Sequence, residues 1–437
     1  IANAAMSIMC GMADIMIGCG VEHMTRTPWQ MEKPDSAFPT TAPKFVTRIY
    51  APLHMYPNLT MPETADKLAK MKGVTREDCD EFAFMSQQRA AKAVQAGVFK
   101  EEIVPVEIKT KQGTVVIDTG EFKIYGQIRI NSSGIVIKGR TINNKTTIFK
   151  AAGYDRRTLI KIKGESFKCE EWKEMENTYI PIGSVKIITK LAKNYNIGDK
   201  IYIRSTTTKN IIKKLETDWY GGETEWIGWK ENERDLYFIR KIINIKADTI
   251  FIDVPLTIAL NYFDSRTFIA RIYEDKRIFN IGIENLIFES EFNHENKKDE
   301  NHSWTAISFD NSYDCWVNKV VFKHFAGSVV YLQRNTQQIT VMNCVSLDPI
   351  SEIGGWRRRT FFNEGQQNLF IRCFSEYGYN DFACGFTSVG PNAFVLCESY
   401  KSFSFSGSID SWSNGILYDN VEIDGNALII GNIGPEN

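Results

Sequence analysis

Ile339-Thr-Val-Met-Asn-Cys344, Leu369-Phe-Ile-Arg-Cys373 and Phe394-Val-Leu-Cys397 are three versions of one short strand. Asn285-Leu-Ile-Phe288 and Asn318-Lys-Val-Val-Phe322 precede them in the same form. Phe322, Cys344, Cys373 and Cys397 stand 22, 29 and 24 residues apart. A repeat of that length holds one coil of a solenoid, which buries its apolar face only by stacking on the next coil. Unequal steps place loops of different size on one side. The spacing predicts that Cys344, Cys373 and Cys397 form an inward ladder of stacked thiols, not disulfides.

Toward the N-terminus the short-strand pattern continues back to residue 122. Ile135–Lys138, Thr158–Ile162, Lys200–Arg204 and Thr249–Val254 are rich in Ile, Val and Thr and read as further strands. Before that the pattern changes. Ile1, Ala5, Ile8 and Met12 recur at helical spacing, and Ala13–Val21 reads as a short apolar strand. Thr60-Met-Pro-Glu63 has the form of a capping box opening a helix that Gly73 closes. Thr75 opens a second helix, with Glu77, Asp78 and Asp80 in the first turn, where the helix dipole favours acids; Gly97 ends it. Glu101–Lys109 reads as a strand. The expected division is an incomplete α/β segment over 1–118 and a parallel β-solenoid over 119–437, joined without a Pro/Ser-rich linker. Gly434-Pro-Glu-Asn437 supplies no polar cap, so more coils are expected beyond it.

With 43% hydrophobic and 24% charged residues and a net charge of −1, nothing points to nucleic acid or an anionic membrane as partner. The nine cysteines form no CxxC or Cys/His cluster of metal-site spacing. Asp14 and Gly11, Gly18 and Gly20 interrupt the apolar start, so no membrane span is predicted there.

Asn3-Ala-Ala5, Cys19-Gly-Val-Glu-His-Met-Thr25, Thr75-Arg-Glu-Asp78, Ser86-Gln-Gln-Arg-Ala-Ala-Lys-Ala93 and Phe99-Lys-Glu-Glu-Ile-Val-Pro-Val-Glu107 resemble the middle of a thiolase (acetyl-CoA acetyltransferase). The resemblance implies part of a layered α/β fold, a cytoplasmic setting, an oligomeric parent and a region that meets coenzyme A. It does not imply activity. The family's nucleophilic Cys, its Gly-His-Pro segment and its C-terminal Cys-Gly-Gly segment do not occur in this chain. Cys10, Cys19, His23 and His54 are therefore expected to be structural.

Ser308-Phe-Asp-Asn-Ser-Tyr-Asp-Cys-Trp316, the strand ending at His324, and Trp412-Ser-Asn-Gly-Ile-Leu-Tyr-Asp-Asn420 resemble the pectate-lyase-like right-handed parallel β-helix superfamily. This resemblance implies binding or cleavage of an acidic polysaccharide, in a secreted or periplasmic setting, by a lyase or a hydrolase, with Ca²⁺ as a candidate cofactor. A lyase is slightly favoured. A non-catalytic glycan-binding solenoid and a thiolase activity of the first segment are the alternatives.

Residues at one offset in successive coils stack about 4.8 Å apart. Asp348, Tyr377 and Lys401 each stand four past a ladder cysteine. Elimination from a uronic acid needs a cation on the carboxylate and a base for the C5 proton; hydrolysis needs two carboxyl groups across one bond. The candidate catalytic residues are Arg358, His324, Lys401, Asp348, Glu376 and Asp381. Trp356, Arg357, Arg359, Tyr377, Asp410 and Trp412 are candidate substrate contacts, the tryptophans as sugar platforms. His294 and His302 are expected in an exposed charged loop, Glu291–His302.

Overall fold

The computed structural model describes residues 30–31, 45–46, 61–96, 113–175, 179–218, 228–409 and 412–429. The chain divides into two units, Ile1–Glu107 and Ile108–Asn437. In the first, helices Met61–Lys72 and Arg76–Gln95 follow a short antiparallel pair, Gln30–Met31 with Phe45–Val46. Thr75 and Asp78 cap the second helix reciprocally. The Thr75 amide donates to Asp78 Oδ2 at 2.8 Å, and the Asp78 amide donates to Thr75 Oγ1 at 3.1 Å. Gly73 ends the first helix at φ +67°, a left-handed conformation glycine adopts without cost. The elements expected over 1–12, 13–21 and 101–109, and the caps Thr60 and Gly97, lie outside the described residues.

The second unit is a parallel β-helix with three faces. Among the described residues it makes eight coils. The first face holds Gly113–Ile117, Ile135–Gly139, the leading halves of Gly282–Ser290 and Trp316–Lys323, then Thr340–Met342, Leu369–Ile371, Asn392–Val395 and Ile416–Asp419. The second face runs from Gly120–Ile124 and Lys145–Ala151 through the trailing halves of the two long strands to Glu422–Ile423. The third holds Ile128–Ile130, Thr158–Lys163, Thr305–Asp310, Val330–Leu332, Phe361–Asn363, Phe382–Gly385, Ser406–Ile409 and Leu428–Ile429.

From the third coil on, the corner between the first two faces turns on one left-handed residue per coil. Asn285, Lys319, Asn343, Arg372, Leu396 and Asn420 all have φ between 51° and 55°. Asparagine tolerates this region better than most side chains. Asn343 Nδ2 donates to Asn318 Oδ1 at 2.9 Å and Arg372 Nε to Asn343 Oδ1 at 2.8 Å, so side chains near this corner tie adjacent coils.

Cys344, Cys373 and Cys397 are buried free thiols in one inward column, as the repeat predicts. The step at Phe322 is corrected. Val321 pairs with Val345 and Phe322 with Ser346, so Val320 is the residue in register with Cys344. Phe322 fills the next inward position. Stacked rings continue the core, with Phe370–Phe394 centroids at 4.7 Å and Phe361–Phe382 at 5.7 Å. Each such pair contributes roughly 0.5–1.5 kcal/mol beyond its area.

Between Thr158–Lys163 and Gly282–Ser290 the chain leaves the solenoid and builds an antiparallel module. Lys200–Ser205 lies between Leu236–Lys246 and Thr267–Glu274, and Thr249–Ile252 forms a hairpin with Leu236–Lys246. Lys200–Arg204 and Thr249–Val254, expected as solenoid strands, therefore belong to this module. Their period-2 alternation is the same in either setting, but Ile201, Ile203, Ile250 and Ile252 fill a core of their own. Arg240 bolts the module to the solenoid. Its guanidinium donates to Gln366 Oε1 at 2.9 Å, to the Gly390 carbonyl at 2.8 Å and to the Val254 carbonyl at 3.0 Å. Burial lowers its pKa to about 10, which still leaves a cation at neutral pH. Among the described residues no helix is long and apolar enough to cross a membrane.

Candidate functional site on the third face

Third-face strands alternate in and out. Val330, Leu332 and Phe361 point into the core, so Tyr331 and Phe362, paired in register, point outward. Their rings stack at 5.4 Å. The Tyr331 hydroxyl donates to Glu364 Oε1 at 2.6 Å. Burial, with the nearby Glu364 carboxylate, pushes the phenol well above its ordinary pKa.

The loop between Leu347 and Phe361 folds back over this face. Gly354 and Gly355, at φ +124° and +60°, make the turn. Trp356 then lies flat on Phe386, with ring centroids 5.6 Å apart and planes within 9°. The Arg359 guanidinium sits 4.4 Å from the Trp356 centroid and 5.3 Å from that of Phe362. Trp356 remains 60% exposed, so its ring is available to a ligand. Nearby is a small cleft with room for about one water, lined by Tyr202 and Tyr237 of the module and by Arg334, Glu364, Gln366 and Thr387 of the solenoid. Arg334 Nη2 donates to the Phe386 carbonyl at 3.5 Å, which links the cleft to the tryptophan shelf.

The structure separates the residues predicted from sequence into six places. Trp356 and Arg359 belong to the shelf. Arg358, one residue away, is buried and turned inward: its guanidinium donates to Ser351 Oγ at 3.1 Å, to the Ser351 carbonyl at 2.8 Å and to the Tyr377 carbonyl at 3.1 Å. Arg357 turns the other way and pairs with Glu300, its Nη2 at 3.2 Å from Oε2. That contact holds the Glu300 carboxyl below its ordinary pKa.

His324, Asp348, Tyr377 and Lys401 share one column at the corner between the second and third faces. Their φ angles of 68°, 46°, 54° and 51° mark them as the left-handed turn residues of successive coils. Glu376 joins them, its Oε1 accepting the Asp348 amide at 3.0 Å. Lys401 Nζ lies 4.8 Å from the Tyr400 ring and 5.9 Å from that of Tyr377. His324 packs on Phe292 at 5.0 Å, and burial lowers its pKa.

Asp381 is apart from the other two acids. It is fully buried and accepts from the hydroxyls of Ser375 at 2.5 Å, Ser402 at 2.6 Å and Thr360 at 3.2 Å; burial raises its pKa. Of the three acids expected to lie near one another for hydrolysis, Asp348 and Glu376 thus meet at the corner and Asp381 does not join them. Among the described residues no group of three or more His, Cys, Asp or Glu is placed to hold a metal ion. Trp412 stacks on Trp229 of the module at 5.9 Å, packing against the module core. Asp410, Cys10, Cys19, His23 and His54 lie outside the described residues. The expected exposed loop is corrected at His302, which is fully buried between Ser290 Oγ at 2.8 Å and the Ile350 carbonyl at 2.9 Å.

Tyr331, Arg334, Phe362, Glu364 and Phe386, with Tyr202 and Tyr237, are the site residues that the repeat analysis misses. The signal was present in Val330-Tyr-Leu332 and Phe361-Phe-Asn363, one strand per coil with a ring at the outward position.

The family model for the thiolase N-terminal domain matches residues 1–128. The N-terminal segment is thiolase-like. β-Ketoadipyl-CoA thiolase of Escherichia coli is 45% identical over 118 residues, 26% of this chain and 29% of that protein. Acetyl-CoA acetyltransferase of Syntrophomonas wolfei is 38% identical over 122 residues, 27% of this chain and 31% of that protein. The chain spans under a third of the length of these relatives. The thiolase-like match runs past Gly113–Ile117 and Gly120–Ile124, which pair in parallel with solenoid strands, so it overlaps the first coil.

Among solved structures, the tailspike protein gp49 from Pseudomonas phage LKA1 aligns with a TM-score of 0.32 and 10% identity, covering 68% of this chain and 54% of that one. The Gp54 tailspike of Acinetobacter baumannii bacteriophage AP22, solved with capsular saccharide, aligns with a TM-score of 0.29 and 8% identity, covering 79% and 75%. The strand pairing of the present chain defines its solenoid independently of both.

Proposed function

We propose that the β-helix binds an acidic polysaccharide on its third face and cleaves it with Glu364 as the acid–base group. The observation that carries this reading is the exposed Trp356 ring, seated on Phe386 and joined through Arg359 and Phe362 to Tyr331, which holds Glu364. A flat aromatic face receives the C–H side of a sugar ring, and arginines receive its carboxylate. Asp310, Gln333 and Glu364 hold the same outward offset in successive coils, because Phe309 pairs with Leu332 and Leu332 with Asn363. Two rungs separate Asp310 from Glu364, roughly 10 Å. That is close to the carboxyl spacing of an inverting hydrolase, about 6.5–9.5 Å.

Elimination is the second reading. Arg334 next to Tyr331 and Glu364 favours it, since a cation and a phenol are the groups that reaction uses; the raised pKa of Tyr331 weighs against the phenol as base. Incubation with polygalacturonate, alginate and hyaluronan, following both reducing ends and the ultraviolet absorbance of unsaturated uronate, separates the two. Failure of the protein to bind any of these polymers would overturn the proposal. An acyl-CoA reaction of the thiolase-like segment, drawing on coenzyme A, is a separate alternative against which the missing catalytic segments weigh; cleavage of acetoacetyl-CoA by the pure protein would establish it.

A further inference from the structure

We infer that the acidic polysaccharide lies along the solenoid axis and that Arg129 and Lys161 form an anion-binding extension of the third-face site. The inference rests on the proposed function and adds the direction of the chain and the group it presents. Five outward positions of the third face are in register: Arg129 with Lys161, Lys161 with Ser308, Ser308 with Tyr331, and Tyr331 with Phe362. Ile128 and Ile130, and Ile160 and Ile162, pack against the core on either side, which turns Arg129 and Lys161 outward. One column thus begins in two cations and ends in two aromatic rings beside Glu364. Four rungs span roughly 19 Å, the length of a short oligosaccharide.

Arg129 and Lys161 are like charges side by side on adjacent strands. Like charges at neighbouring positions on adjacent strands are destabilising. Lys123 and Lys150 are also in register, but each has a carboxylate beside it: Lys150 lies 2.9 Å from Glu121 and Lys123 2.8 Å from Glu291. Lys163, two residues after Lys161, takes Asp310 at 2.9 Å. Among the described residues, neither Arg129 nor Lys161 has a carboxylate within ion-pair distance. Among the described residues Arg129 donates to its near neighbour, Gln127 Oε1, at 3.0 Å. A polyanion laid along the column would relieve that repulsion, its carboxylates meeting the cations while a sugar ring meets the exposed Trp356.

The test is affinity electrophoresis of the full chain in gels holding polygalacturonate, alginate or hyaluronan, with dextran as the neutral control, at rising salt. The double variant Arg129→Glu/Lys161→Glu is expected to lose retention by about tenfold or more and to lose much of the salt dependence. The Arg129→Gln/Lys161→Gln pair, milder for folding, is expected to show the same change at smaller size. Cleavage of a disaccharide or trisaccharide is expected to stay at the wild-type rate. Unchanged polymer retention and salt dependence in both double variants, with retention still lost in Trp356→Ala, would overturn the extension and leave the proposed site standing. Absence of retention in the wild type would overturn both.

Discussion

The Tyr331 hydroxyl and the Glu364 carboxylate meet at 2.6 Å although they belong to adjacent coils. The bond fixes the carboxylate against the third face and joins the aromatic shelf to the cleft. Glu364→Gln keeps the shape and removes the proton-transfer group. Cleavage is expected to fall by about a hundredfold or more while polymer affinity changes little. Steady-state assays beside affinity electrophoresis would show the split; loss of both together would mean that Glu364 is structural.

Trp356 is exposed and contributes little to folding. Trp356→Ala is therefore expected to leave the melting temperature nearly unchanged and to weaken glycan binding by about tenfold, the scale of one stacking contact. Intrinsic fluorescence titration with oligosaccharide checks the wild type, and retention in gels checks the variant.

Arg240 answers carbonyls from two parts of the fold with one buried cation. Arg240→Met removes the donors and leaves those acceptors buried, at a cost of about 2–4 kcal/mol. Urea unfolding is expected to show either that loss or a new early transition as the module detaches.

Two acids, Asp275 partly buried and Asp381 fully buried, set opposite pH slopes. At Asp275 burial opposes ionisation, but Arg277 and Lys200 outweigh it and hold the carboxyl at about 2. Its folded pKa is below the unfolded one, so its contribution is present above about 3.9 and is lost as pH falls toward 2. At Asp381 burial raises the folded pKa. Stability from this group is full below about 3.9 and declines as pH rises through the folded value. Asp381→Asn is expected to flatten that decline in urea titrations between acid and neutral pH. An unaltered slope would show that Asp381 titrates normally.

Cys344, Cys373 and Cys397 are sealed in the core, and burial pushes the Cys373 thiol well above its ordinary pKa. The native protein is expected to leave all three unmodified by iodoacetamide, and denaturant to expose them together. Cys373→Ser places a hydroxyl in that column and is expected to destabilise by about 1–3 kcal/mol.

The sequence repeat reveals the solenoid because inward positions must recur once per coil, and Cys344, Cys373 and Cys397 do so visibly. It misplaces Phe322 because valine at position 320 fills the same column as cysteine elsewhere. The module escapes notice because Ile201 and Ile203 alternate as any half-buried strand does, and alternation carries no information about parallel or antiparallel partners. Asp348, Tyr377 and Lys401 are rightly read as a column, yet their shared conformation shows why the offset recurs: a turn needs a left-handed residue there. The shelf around Trp356 was half legible, since Gly354-Gly355 marks the fold of the loop. Glu364 and Tyr331 were not, because their meeting depends on the register between coils.

The module also divides the solenoid in time. Thr158–Lys163 pairs with Thr305–Asp310, but the chain between them holds the whole module and the first two faces of the next coil. Later coils are joined by short connections and can add one after another, each on the edge left by the last. Joining the second coil to the third requires closing a long loop, which is entropically costly and slow unless the module has already drawn its ends together. Two zippers, one at each side of that gap, would therefore form separately and meet last, so kinetics of refolding should carry a phase that deletion of the module abolishes.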